Sequence, residues 1–143
     1  MVMAQIPISS TLSPTSEIPA QLYAALISLS DDAIVVESLD GVICTWNQGA
    51  MRMYGYMPDE AIGQPMAMLC PPERSGEIAD ILAKVRNGER ILHYETIRQR
   101  KDGTISPVSV SVSPVNDEYG TMIGAAAIAR DITEQGQARV AAA

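Results

Sequence analysis

The chain has no phenylalanine, one tryptophan and one histidine in 143 residues, and aromatic side chains make up only 4% of it. Its interior must be filled by aliphatic residues and methionine. There are eight methionines, five of them between Met51 and Met68. Flexible thioethers repack readily, which suits an adaptable pocket, or a core that phenylalanine fills elsewhere. Cysteine is equally sparse. Cys44 and Cys70 stand alone, and with the single His93 they cannot make a zinc site at any familiar spacing, so no metal is expected. Two unpaired thiols fit a reducing, cytoplasmic setting.

Positive charge is also short. Ten Lys and Arg stand against 17 Asp and Glu, a net charge of −7. That balance argues against nucleic acid as a partner, because phosphate-backbone binding needs clustered cations. No apolar run approaches the roughly 20 residues of a spanning helix, so membrane insertion is not expected. The opening MVMAQIPISS has no basic segment to begin a secretory signal. Glycines fall singly at turns and helix ends, so no phosphate-binding loop exists. His93 has no Ser or Cys nucleophile at a motif spacing, and Asp59-Glu60 reads as charge at a helix start. No catalytic residues are expected, and the chain is read as not being an enzyme.

What is present organises around Trp46 to Gly63, WNQGAMRMYGYMPDEAIG. Asn47 is a natural N-cap, Ala50, Met53 and Tyr54 follow at helical spacing, and Gly55 ends the turn. Pro58 opens a second short helix with Asp59 and Glu60 behind it, and Gly63 closes it. Helices this short need a sheet to lean on.

In chain order, residues 1–17 are a Ser-, Thr- and Pro-rich stretch expected as a flexible tail. Residues 18–30 carry Leu22, Ala25, Leu26 and Leu29 on one helical face, a flanking helix whose low charge calls for cover by the domain or a second copy. Ala33 to Val36 and Val42 to Trp46 read as strands joined at Asp40-Gly41. One more helical turn is expected over Pro65 to Leu69, before Pro71-Pro72. Glu73 to Gly88 is a longer helix through Ile78, Ile81, Leu82 and Val85. Ile91 to Lys101, Thr104 to Val115 and Thr121 to Arg130 then read as three strands. The second alternates Val108, Val110 and Val112 against serines. Strands, then helices, then strands imply an α+β domain on an antiparallel sheet.

The order WNxxA…YGY, EAIG, the RKDG turn and the terminal ARDITE resembles the PAS domain family over about residues 20–134. The resemblance implies a five-stranded antiparallel sheet in spatial order 2-1-5-4-3, with helices on one face and a small-molecule pocket between the layers. The domain would span 18–134, with 135–143 a tail or the start of a coupling helix. Such domains are sensor or dimerisation units, usually joined to an output such as a histidine kinase or a cyclic-dinucleotide enzyme, and any such catalytic domain would lie outside these 143 residues. The pocket expected here takes a small, mostly apolar ligand. Its lining is Met53, Met66, Leu69, Ile81, Val85, Tyr94, Thr96, Val108, Val110 and Ala127, with Tyr94 as polar handle.

The flavin-binding branch of the family carries a photoreactive Cys where this chain has Met66, and flavin-holding amides where it has Arg98, Val108 and Ala129, so flavin is not expected. The haem branch takes its ligand from the long helix, and residues 73–88 contain no His. His93 is placed outward, with Leu92, Tyr94 and Thr96 inward. The resemblance further implies an ion pair between Glu60 and Lys101, and signal coupling through Arg130, Asp131 and Thr133. A homodimer is expected through Leu22, Leu26 and Leu29 with Ala126 and Ile128.

Two other readings compete. One is a ligand-free dimerisation module. The other is a small isomerase or hydrolase, which needs paired carboxylates aimed inward. The inward strand positions offer none, though the register of the first strand leaves Glu37 open to either face.

Overall fold

The computed structural model describes residues 20–134. The expected tails, 1–17 and 135–143, lie outside the described residues, as does the start of the flanking helix at Ile18. The fold is α+β: a four-stranded antiparallel sheet with the intervening helices on one face.

Helix α1 (Ala20–Leu29) has no buried residue. It is tethered at its end, where the Asn47 side chain donates to Ile27 O at 3.0 Å. Strand β1 (Ala33–Ser38) follows, with Ala33, Val35 and Glu37 facing the core. The chain turns at Gly41, whose φ of 80° suits glycine, and runs back beside β1.

This returning segment is the expected second strand, and it does not form one. It makes only isolated bridges, Glu37 to Ile43 and Val42 to Pro65. The cause is local. Cys44 and Thr45 both direct their N–H groups to Val36 O, at 2.8 and 3.3 Å, while the Thr45 hydroxyl accepts the Val36 N–H at 2.9 Å. With Val36 occupied in this way the ladder cannot propagate, and on its other side Ile43 exchanges hydrogen bonds with Gly63 and Gln64.

Helix α2 (Gln48–Tyr54) starts at Asn47, which accepts from Ala50 N, and stops at Gly55 in the left-handed conformation. Helix α3 (Pro58–Ala61) and two 3₁₀ turns, Met66–Leu69 and Pro72–Arg74, precede α4 (Glu77–Arg86). That last helix begins four residues later than the sequence pattern implies. Arg74 and Ser75 bond three residues back to Pro71 and Pro72, so Glu73 belongs to a tighter turn. Ile78, Ile81, Leu82 and Val85 of α4 are buried.

Strands β2 (Ile91–Gln99), β3 (Ile105–Asn116) and β4 (Met122–Asp131) complete the sheet in the order β1-β4-β3-β2. Across the inner face Val35 pairs with Ala127, and Ala127 with Val112. One row over, Ala33 pairs with Ala129, and Ala129 with Val110. The central β4 thus presents alanines between flanking valines, and Met53, Tyr54, Met66 and Leu69 pack down on them from the helical layer.

The register of β2 departs from simple alternation. Ile91 pairs with Val112 and Tyr94 with Val110, so Leu92 and His93 together stand opposite Ser111. His93 takes a φ of 53° and donates its N–H to the Ser111 hydroxyl at 3.0 Å. This bulge shifts the parity. Ile91 packs against the core while Leu92, expected inward, is 60% exposed.

Candidate functional site

The interior cavity lies between the sheet and α4. Its walls are mostly small or aliphatic: Ala33 and Val35 on β1, Val110 and Val112 on β3, Ala127 and Ala129 on β4, and Met66, Ile78 and Ile81 opposite. Only about 10 Å³ remains open to the centres of water-sized molecules, enough for a single water. Of the residues expected to line a pocket, Met66, Ile81, Val110 and Ala127 do so. Met53, Leu69, Val85, Thr96 and Val108 are buried but lie outside that lining. Tyr94 sits at the rim, 42% exposed, with its hydroxyl donating to Glu77 Oε2 at 3.4 Å. It is a rim residue that reaches across to the start of α4 and not into the cavity.

The polar groups of the interior are the part that sequence reasoning missed. Glu37, whose register was open, points inward with 2% exposure, and its Oε1 has no hydrogen-bond partner among the described residues. Arg98, also in the lining, is 3% exposed. Its partner is Glu77 at the start of α4, 2.5 Å from Arg98 Nη1. Thr96 Oγ1 donates to the same carboxylate at 2.8 Å, and Arg74 Nη1 stands 3.4 Å from it.

The two carboxyls behave oppositely. Burial pushes Glu37 up to about 7, against the smaller pull of the Arg98 charge. Burial also opposes ionisation of Glu77, but hydrogen bonds from Arg98 and Thr96, with the charges of Arg98 and Arg74, outweigh it and hold that carboxyl below its usual range. Glu77 thus neutralises Arg98, and Glu37 is left as a lone acid. A buried arginine was detectable in principle, since Arg98 keeps the parity of Thr96 and Tyr94 in β2. Glu77 gave no such signal, because an acid in the first turn of a helix is ordinary. Glu37, the one strand carboxyl left open by the sequence, thus faces inward, and Glu77 adds a second carboxyl from the helix. Glu77, however, is saturated by donors and is not a free base.

Elsewhere, Lys101 donates to Glu60, which also accepts the Met57 N–H at 2.8 Å, so α3 is tied to the β2–β3 turn. His93 lies on the outer sheet face beside Glu95, Ser109, Ser111 and Ile128. Leu22, Leu26, Leu29 and Ile128 are exposed in the single chain, and Ala126 is half-buried. At the end of β4 the Asp131 carboxylate accepts the Thr133 N–H at 2.8 Å and faces Arg100 at 3.5 Å. Arg130 instead pairs with Asp32. Ile132, between them, is buried and bonds to Pro107 O.

Among known proteins, the model of a family described as "PAS domain" matches residues 31–134. Two-component system protein A of Emericella nidulans is 31% identical over 82% of this chain, and the signal transduction histidine-protein kinase AtoS of Escherichia coli is 29% identical over 76% of it. The chain spans 17% of the length of each of these curated relatives. A solved PAS domain from Colwellia psychrerythraea superposes with a TM-score of 0.74 at 36% identity, covering 80% of this chain and 97% of that one.

Proposed function

The chain belongs to the PAS domain family, and from that premise we propose that it is the sensory module of a cytoplasmic signal-transduction protein. Its output domain, in cis or in trans, is a histidine kinase or a cyclic-dinucleotide enzyme, and catalysis lies there rather than in this chain. The kinase reading draws support from the relatives, which are named as two-component and histidine-kinase proteins.

One observation carries the relay. Strand β4 is at once a cavity wall, through Ala127 and Ala129, and the strand that ends in Asp131, whose carboxylate holds the Thr133 N–H. A change in the cavity moves β4, and the turn at Asp131-Ile132-Thr133 converts that movement into the direction of the following chain. Deleting residues 31–134 from the parent protein tests the reading. Regulated output should be lost while basal output persists; regulation that survives the deletion rejects it.

The ligand-free alternative has its own support in the nearly filled interior. Native mass spectrometry of freshly purified protein separates the two readings. A retained small molecule adds mass, and a filled core adds none.

A further inference from the structure

Four side chains from two elements converge on the Glu77 carboxylate: Arg98, Thr96 and Tyr94 from β2, and Arg74 from the turn before α4. One arginine would suffice to neutralise one glutamate. Here two guanidiniums and two hydroxyls surround it, and an ionised carboxylate has about four acceptor positions to offer them. Arg98 and Thr96 are at most 5% exposed, so the site is built into the wall, and Arg98 also faces the interior cavity. Arg74 and the Tyr94 ring remain open to solvent, with side-chain exposure of 40% for Arg74.

We propose that this cluster is a recognition site for a small aliphatic carboxylate, and that Glu77 is its built-in occupant, which the ligand displaces. The ligand carboxylate would take the bonds of Arg98 and Thr96. Its short chain would lie along Ile78, Ile81 and Val110, which form apolar wall beside Arg98. The open volume of about 10 Å³ and the space that Glu77 vacates limit that chain to a few carbons. Displacement breaks strong bonds to Glu77, and the incoming carboxylate must remake them with Arg98 and Thr96. Glu77 is the first residue of α4, at the partly exposed edge of the wall with its side chain 11% exposed, and a displaced carboxylate would have to turn outward from there. Charged-group hydrogen bonds of this kind are strong only while buried, so the exchange trades one buried carboxylate for another.

The inference rests on the sensory reading for its biological role, and the site itself can be tested separately. Sodium propionate and propionamide are titrated into the wild-type chain and Glu77→Ala, following the backbone amide signals of residues 94–98. If Glu77 fills the site more than about nine-tenths of the time, removing it tightens propionate binding about tenfold or more. Propionamide, which lacks the charge, should not bind, and Thr96→Val added to Glu77→Ala should weaken propionate severalfold. Should Glu77→Ala give no dispersed spectrum, Glu77→Gln keeps the shape with a weaker occupant and should still bind propionate more tightly than wild type. Equal propionate affinity with and without Glu77, no binding in a folded variant, or equal response to propionamide overturns the proposal. Propionate binding by the Glu77→Ala domain, together with regulated output that survives deletion of residues 31–134 from the parent protein, would reject the sensory reading and leave the site standing.

Discussion

Arg130 and Asp32, 98 residues apart, are joined by two parallel hydrogen bonds of 3.1 Å from Nε and Nη2 to the two carboxylate oxygens. Asp32 lies between α1 and β1, and Arg130 precedes the Asp131 turn, so the pair clamps the chain's way into the sheet to its way out. The pair is exposed, and its effect on global stability should be small and abolished by high salt. Its local effect should be plain. Arg130→Gln should speed amide hydrogen exchange at Asp32 and Ile132 while leaving β3 unchanged; uniform protection in the variant would show that the clamp positions nothing.

Asn47 offers a sharper test of how α1 is held. Its Oδ1 accepts from Ala50 N and Ile34 N, and its Nδ2 donates to Ile27 O and Asp32 O, all at 2.9–3.0 Å. Asn47→Ala should destabilise the domain by about 3 kcal/mol in urea unfolding, more than a simple cap, because buried backbone groups lose partners in three segments. Asn47→Asp keeps the acceptor role but sets a carboxylate against two carbonyl oxygens, so it should free α1 selectively. A loss below about 1 kcal/mol for Asn47→Ala would mean that the cap alone matters.

The Asn47 cap, the Gly55 stop and the β3 alternation were legible because each is a local rule with a single residue signature. The interior chemistry was not. Strand parity puts Arg98 inward, but its charge is met by Glu77 from another element, and no local pattern records that meeting. The bulge at His93 was hidden because Ile91 and Leu92 are both apolar, so the sequence does not record which of them faces the core. Likewise, the segment at Val42 has strand composition, but the hydroxyl of Thr45 competes for Val36 and ends the ladder.

Glu37 and Glu77 predict opposite limbs of a pH profile. The folded state holds the Glu37 proton up to about pH 7, against an ordinary value of 4.5. Its stabilising contribution is complete below pH 4.5 and is lost as pH rises to about 7, roughly 3 kcal/mol in all. Glu77 is held low, so its contribution is present above its ordinary value and lost as pH falls beneath it. Stability should therefore peak near pH 5, and Glu37→Gln should flatten the decline between pH 5 and 7. A wild-type profile flat over that range would show that Glu37 is ionised at little cost.

Leu22, Tyr23, Leu26, Ile27 and Leu29 leave α1 with exposed apolar side chains on several sides, and Ile123 and Ile128 do the same for the outer face of β4. Pairing two copies would cover both surfaces. Light scattering should find a dimer in the wild-type protein and a monomer in Leu26→Glu. A wild-type monomer at high micromolar concentration excludes this interface.

The relay from cavity to Asp131 can be tested without knowing the natural stimulus. Ala127→Val enlarges a side chain on the cavity face of β4 and should shift the parent protein's output, as a signal would. Asp131→Ala removes the carboxylate that holds Thr133, at a cost of about 0.5–2 kcal/mol if it acts only as a cap. The decisive measurement is the double-mutant cycle of these two changes, read as output activity of the full-length parent. The account predicts that Ala127→Val has no effect on output once Asp131 is alanine. Independent, additive effects of the two substitutions would contradict it.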